Sequence, residues 1–221
     1  FLATYPGSAF STEAIYLKAD SYMRTEQIQQ ALEHYYLIVA DLGFARHNRV
    51  VQRIAEIELA NKNYDKSIEQ LKDLERISAS RKEQFTAWSG LMNAYYATGA
   101  YAQAINYGKL ILDEGTVMIS AKNEALLLIA KSHLALNEKE QARGYLEQAV
   151  ENGTDAYGAE ALFLIAELLN TEAQYQASID RLFQLNNKYS MYELWLGKSF
   201  ILIADNYLAL GEDFQAKATY Q

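Results

Sequence analysis

The sequence has no cysteine, a single proline and only 11 glycines in its 221 residues. Without cysteine the chain forms no disulfide and holds no metal through thiolates. Proline interrupts helices, and both proline and glycine mark the turns of all-β folds, so their scarcity favours helices. Short runs rich in Val, Ile and Thr with a period of two residues are also missing. We therefore predict an all-α protein.

Positive charge and long apolar runs are scarce too. Lys and Arg number 20 against 28 Asp and Glu, which gives a net charge of −8. Because nucleic-acid binding requires a basic surface, this balance argues against nucleic acid as a partner. No apolar run approaches the roughly 18 residues that a transmembrane helix needs, so we predict no direct membrane span.

Small residues recur along the whole chain at intervals of 36 to 38 residues. One column would open the second helix of each repeated unit, and it holds Ala31, Ser67, Ala104, Ala142, Ser178 and Ala216. A second column lies on the first helix and holds Ala19, Ala55, Met92, Ala130, Ala166 and Ala204. Since small side chains let two helices approach closely, each unit is predicted to be a helical hairpin. The predicted hairpins are 11–43, 46–78, 80–115, 119–152, 155–190 and 192–221.

Two further columns on the first helices are apolar. They are Ile15, Val51, Trp88, Leu126, Leu162 and Phe200, and then Ile54, Leu91, Ile129, Ile165 and Ile203. Residues three or four apart share one face of a helix, so these columns predict an apolar stripe. Three helix starts carry the pattern of an N-cap with an answering residue three places on. The pairs are Ser80 with Glu83, Asn137 with Glu140, and Thr171 with Gln174.

The clearest copy of the repeat runs from Trp88 to Ile105 and reads W-x2-L-x3-Y-Y-x2-G-x-Y-x2-A-I. It resembles the tetratricopeptide repeat, a helix–turn–helix unit of about 34 residues. The resemblance implies a right-handed α-solenoid of about six stacked hairpins, a single array over 1–221. Residues 1–10 would be the tail of a preceding repeat, and we expect the chain to be a fragment of a longer protein.

In tetratricopeptide arrays the first helices line a concave groove that holds a peptide or a partner helix, and the resemblance implies the same here. Its C-terminal half combines apolar side chains with acidic neighbours, which predicts a partner with apolar anchors and basic flanks. The carboxylate clamp of chaperone-binding members is matched only at Asn93, which disfavours a chaperone co-factor role. The candidate groove residues are Tyr16, Asp20, Glu56, Asn93, Tyr96, Leu127, Lys131, Leu134, Phe163, Glu167, Ile201, Asp205 and Leu208.

No set of residues indicates catalysis. The three histidines, His34, His47 and His133, are scattered and lack the spacing of a zinc site. No glycine-rich phosphate cradle is present, and Ser89–Gly90 lacks the strand-to-helix turn of a nucleophile. His133 takes the place that tyrosine holds in other units, so packing explains it. We predict no catalytic, cofactor-binding or metal residue, and a protein that is not an enzyme.

The function that we expect is a non-catalytic scaffold for protein–protein assembly. Two alternatives stay open: the regulatory region of a signalling sensor, and the accessory region of an enzyme whose catalytic domain lies elsewhere. The chain also resembles long envelope repeat proteins of Bacteroidetes, which implies the periplasm or an outer-membrane association, with the cytoplasm as the alternative. The last hairpin should expose apolar residues, and we expect self-association through them. These residues are Phe200, Ile203, Tyr207 and Phe214.

Overall fold

The computed structural model describes residues 8–114 and 119–220. This part of the chain contains twelve α-helices and no strand, which confirms the prediction of an all-α fold. The helices are α1 (Ser11–Arg24), α2 (Ile28–Tyr36), α3 (His47–Ala60), α4 (Tyr64–Ile77), α5 (Arg81–Ala97), α6 (Tyr101–Asp113), α7 (Ile119–Ala135), α8 (Lys139–Asn152), α9 (Ala156–Thr171), α10 (Tyr175–Lys188), α11 (Glu193–Ala209) and α12 (Asp213–Thr219). Each predicted hairpin range contains two of them. Residues 1–7 of the predicted preceding repeat lie outside the described part.

The chain divides into two compact units, 1–103 and 104–221. In the first unit each of α1 to α4 packs on the helix that follows it, and α3 also contacts α5. In the second unit the helices from α7 to α12 pack in the same sequential way, and α9 contacts both α7 and α11. Hairpins that pack on the next hairpin along the chain define an all-α helical repeat.

The two columns of small residues form the closest contacts of the repeat. All twelve members, including the bulkier Met92, are buried. The columns meet directly where the second holds a serine, because the Ser67 hydroxyl donates to the carbonyl oxygen of Ala55 at 3.0 Å. The Ser178 hydroxyl donates in the same way to Ala166 at 2.8 Å. The predicted close approach of the two helices is therefore confirmed.

The turn inside each hairpin repeats one backbone geometry. A single residue in each turn has a positive φ, between 57° and 78°: Glu26, Lys62, Gly99, Asn137, Ala173 and Gly211. The next residue donates its N–H to the carbonyl five places back, as Gln174 does to Leu169 at 2.9 Å. This bond belongs to the Schellman motif, which ends a helix and satisfies its last carbonyls.

The three predicted N-caps have different outcomes. Ser80 is confirmed, since its side chain accepts the N–H of Glu83 at 3.2 Å. The other two are wrong: Asn137 is the left-handed residue of its turn, and the Thr171 hydroxyl donates back to Leu168 at the end of α9. The Schellman turn is short, so Asn137 and Thr171 still belong to the end of the preceding helix and cannot cap the next one.

The last hairpin exposes part of the predicted apolar set. Phe214 is 83% and Phe200 46% exposed, whereas Ile203 is buried in the core of the second unit. Tyr207 is partly buried against the same core. The expectation that all four are uncovered is wrong for Ile203, because it continues the apolar stripe of its own hairpin. Self-association through Phe200 and Phe214 stays a prediction.

Candidate partner-binding site

Two clefts open between consecutive first helices, one in each unit. The α3–α5 cleft in the first unit has a volume of about 270 Å³. It contains two of the predicted groove residues, Glu56 and Asn93. Its lining is Ala55, Glu56, Leu59, Leu71, Phe85, Thr86, Ser89, Gly90 and Asn93.

Gly90 lets the Leu71 side chain pack closely against α5 in the α3–α5 cleft. A Cβ atom at Gly90 would lie 2.7 Å from the Leu71 side chain, so a larger residue would push that leucine aside. The polar rim is held in place by local bonds. Glu56 accepts from Gln52 at 2.6 Å and from Arg53 at 2.9 Å. The cleft thus offers an apolar base with a fixed carboxylate beside it.

The α9–α11 cleft in the second unit has a volume of about 250 Å³ and combines apolar with charged lining residues. Phe163 is only 6% exposed and its ring lies 5.4 Å from that of Trp195, centroid to centroid. Ile201, in contrast, is 56% exposed. The lining is Phe163, Glu167, Lys198, Ile201, Leu202 and Asp205.

Three charged side chains surround the α9–α11 cleft. The Lys198 ammonium lies 4.4 Å from the centroid of the Trp195 ring and 5.6 Å from that of Phe163, so it makes cation–π contacts with both. Partial burial raises the pKa of Glu167, and the positive charge of Lys198 opposes that rise. Asp205 accepts a hydrogen bond from the Tyr220 hydroxyl at 2.8 Å. The cleft therefore carries two carboxylates and one ammonium.

The two clefts use the same places of the repeat. Glu56 and Asn93 in the first correspond to Glu167 and Asp205 in the second. Lys198 is not among the predicted groove residues. Its signal was available, because Lys198 lies seven residues before Asp205, two helical turns away on one face.

The place between α7 and α9 is filled by an ion pair. Lys131 Nζ lies 2.8 Å from Glu160 Oε1 across the two helices. Leu127 is buried and Leu134 is partly buried against the core of the second unit. At this point of the repeat Lys131 therefore pairs with a residue outside the predicted groove set, and Leu127 and Leu134 pack in the core.

The remaining groove candidates are divided between core and surface. Tyr16 is buried, with its ring 5.7 Å from that of Phe44, and so belongs to the core of the first unit. Asp20 pairs with Arg24 at 2.9 Å. Tyr96 is partly buried, whereas Leu208 on α11 is 51% exposed. The structure thus buries Tyr16, Leu127 and Phe163 and presents Ile201 and Leu208.

His133 has the packing role that the sequence indicates. Its ring stacks on Tyr145 with 5.5 Å between centroids, and its Nδ1 lies 2.6 Å from Glu138 Oε2. Within 8–114 and 119–220, no group of three or more His, Asp or Glu side chains is placed to hold a metal ion. None of the helices in this part of the chain has the length and apolar character needed to cross a membrane.

The comparisons with known proteins give one partial family match and several structures of similar fold. Residues 124–152 match the model of the tetratricopeptide repeat. None of the curated proteins matches the chain in sequence. A tetratricopeptide repeat protein from Parabacteroides merdae is similar in structure, with a TM-score of 0.71 and 15% identity over 94% of this chain and 77% of that one.

Two further solved structures share the architecture. BtubC (BKLC) from P. vanneervenii has a TM-score of 0.66 and 16% identity, with 95% of this chain and 88% of that chain covered. A Rap protein complexed with competence and sporulation factor has a TM-score of 0.52 and 10% identity, with 95% and 72% covered.

The chain is therefore a helical-repeat protein with the tetratricopeptide-repeat fold, and its segment 124–152 matches that family by sequence as well. Proteins of this fold generally mediate protein–protein interaction, and arrays of such repeats present extended binding surfaces. Proteins with this fold typically act as non-catalytic scaffolds.

Proposed function

We propose that this protein is a non-catalytic scaffold that binds a protein partner along the faces of its first helices. The observation that carries the proposal is the recurrence of a cleft at the same places of the repeat in both units. Each cleft has apolar side chains at its base and a carboxylate at its rim. Apolar pockets beside fixed polar groups suit the anchor residues of a peptide or a partner helix.

The two clefts differ in the ligand that each would accept. In the α3–α5 cleft the Leu71 side chain packs closely on Gly90, and Leu59 and Phe85 add to the apolar lining, so the cleft suits an apolar anchor. The α9–α11 cleft exposes Ile201 and has Leu208 two turns further along the same helix. That pair extends the apolar surface beyond the cleft and suits a longer partner segment. A Rap protein of the same fold has been solved with competence and sporulation factor, which supports a binding role for such folds.

Site-specific photo-crosslinking tests the proposal in the cell of origin. A photoreactive phenylalanine derivative is placed at Ser89 in the first cleft or at Ile201 in the second. The matched control places it at Gln176, an exposed residue of the second helix α10. The proposal expects a crosslinked partner at Ser89 or Ile201 and none at Gln176. Crosslinking at Gln176 alone would place the binding surface on the second helices and reject the proposal.

A further inference from the structure

The negative charge of this protein is concentrated in its second unit. Residues 104–221 contain nine Lys or Arg and sixteen Asp or Glu, a net charge of −7, whereas residues 1–103 contain eleven and twelve, a net charge of −1. The α9–α11 cleft lies entirely in this acidic unit. A cationic ligand would thus approach it through a favourable field.

Comparison of two consecutive helix pairs shows that the α9–α11 cleft lacks an internal ion pair. Between α7 and α9, Lys131 on the earlier helix pairs with Glu160 on the later one at 2.8 Å. One repeat further on, the corresponding residues are Glu167 and Lys198, with the two charges exchanged. There the Lys198 ammonium lies over the rings of Trp195 and Phe163. In the described part of the chain, Glu167 has no ion pair within 4.0 Å.

Both carboxylates of the cleft therefore keep capacity for a cation. Asp205 accepts one hydrogen bond, from Tyr220, and a carboxylate offers about four acceptor positions. The pKa of Glu167 is raised by partial burial, which means that the protein only partly compensates the charge of the ionised form. The aromatic faces of Phe163 and Trp195 already have Lys198 above them. The carboxylates are thus the remaining attachment points for an incoming positive group.

We infer that the α9–α11 cleft binds a partner segment that brings an arginine or lysine side chain to Glu167 and Asp205 and packs an apolar residue on Ile201 and Leu208. The inference rests on the proposed function and specifies the chemistry of the partner at one of its clefts. Arginine suits the site well, because its planar guanidinium has five donors for two carboxylates. The apolar contact supplies most of the affinity, and the charges select the partner and speed association.

Lys198 has a defined place in this recognition. Its positive charge is close enough to the carboxylates to repel an incoming arginine, while its contacts with the two rings hold it too far from Glu167 to form an ion pair. Removal of that charge should therefore strengthen binding of a basic segment and leave a neutral segment unaffected. Lys198→Met keeps the length and the apolar stem of the side chain and removes only the ammonium.

The test uses two synthetic helical peptides of about four turns, with leucines at positions i, i+3, i+4 and i+7 and either arginine or citrulline at the flanking positions. Citrulline has the size of arginine without its charge. Binding is measured by fluorescence anisotropy with the parent protein and with Glu167→Gln/Asp205→Asn. The matched control is Glu140→Gln/Glu151→Gln, which removes two exposed acids of the same unit from α8.

We expect the parent to bind the arginine peptide about tenfold more tightly than the citrulline peptide, the size of one charge-assisted contact. The ratio should fall to near one in Glu167→Gln/Asp205→Asn and persist in the control, and Lys198→Met should raise it several-fold. An unchanged ratio in the cleft variant, an equal loss in the control, or no binding of the arginine peptide at millimolar concentration would overturn the inference. Photo-crosslinks at Ser89 or Ile201 would then still stand, so failure of the inference is distinguishable from failure of the scaffold.

Discussion

The hydroxyl of Ser178 on α10 donates a hydrogen bond to the carbonyl oxygen of Ala166 on α9, twelve residues earlier, at 2.8 Å. The same hydroxyl accepts from the buried Asn206 amide on α11 at 2.9 Å, and the Oδ1 of Asn206 accepts from Asn170 on α9 at 2.8 Å. These bonds join two hairpins through the fully buried Ser178 and Asn206 and the partly buried Asn170. A buried network of this kind fixes the relative position of α9 and α11, the two helices that form the cleft.

Ser178→Ala should destabilise the protein more than Ser67→Ala. Both variants lose one hydrogen bond to a helix carbonyl, worth about 0.5–1.5 kcal/mol. Ser178→Ala also leaves the buried Asn206 amide without that acceptor, which adds about 1–3 kcal/mol. Urea unfolding measures both variants. An equal loss in the two would show that the Asn206 contact contributes nothing.

Ala130→Leu should lower the free energy of unfolding by about 1–3 kcal/mol, because the added atoms overpack a close contact. Ala130 is fully buried in the small column of α7. The matched control is Ala135→Leu, which adds the same atoms at the exposed end of the same helix. Thermal unfolding compares the two proteins. An Ala130→Leu protein that melts with the parent would show that the small columns do not set the helix spacing.

Ala173→Gly should stabilise the protein by up to about 1 kcal/mol. Ala173 has a φ of 57°, a left-handed conformation that costs an L-residue about 1–2 kcal/mol, part of which the greater chain entropy of glycine offsets. The equivalent residue of the last hairpin is already glycine, Gly211 with a φ of 78°. The reciprocal change Gly211→Ala should therefore be destabilising. Opposite shifts of the melting temperature are the expected result, and shifts of the same sign would contradict it.

Glu167→Gln should weaken partner binding without weakening the fold at neutral pH. Burial raises the pKa of Glu167 in the folded protein, so the folded state binds its proton more tightly than the unfolded state does. This contribution to stability is present below the unfolded pKa and is lost as the pH rises through the folded value. Glutamine cannot ionise, so at pH 7 the variant should be at least as stable as the parent.

The comparison of melting temperatures between pH 3 and pH 8 checks this sign. The advantage of Glu167→Gln over the parent should be present at pH 8 and disappear as the pH falls. An advantage that grows on acidification would mean that Glu167 is stabilised in its ionised form by a group inside the fold.

The repeat could be predicted from the sequence because the close contact between the two helices requires a small residue at the same place in every copy. A methyl or hydroxymethyl side chain is required where α9 meets α10, so Ala166 and Ser178 are small in the sequence and buried in the structure. The repeat spacing also predicts that Glu167 and Asp205 lie on the groove side of their helices, and both line the α9–α11 cleft.

Other features depend on distances that a pattern does not contain. Leu127 and Ile201 hold the same place of the repeat, yet one is buried and the other is exposed. The Lys198 ammonium could contact either the Trp195 ring or the Glu167 carboxylate, and in the structure it lies over the ring. Tertiary packing determines which contact forms, and the sequence pattern does not contain that information. The compartment of the protein likewise stays a prediction.

The most direct test of the central claim is a comparison of the partners recovered from the cell of origin with two variants. Ile201→Glu/Leu208→Glu changes the exposed apolar residues of α11, and Phe183→Glu/Met191→Glu changes exposed apolar residues of the same unit outside the cleft. Circular dichroism first establishes that both variants keep the parent helicity. If binding uses the faces of the first helices, the first variant loses partners that the parent and the second variant retain. Identical partner sets for the parent and Ile201→Glu/Leu208→Glu, or loss only with Phe183→Glu/Met191→Glu, would contradict the account.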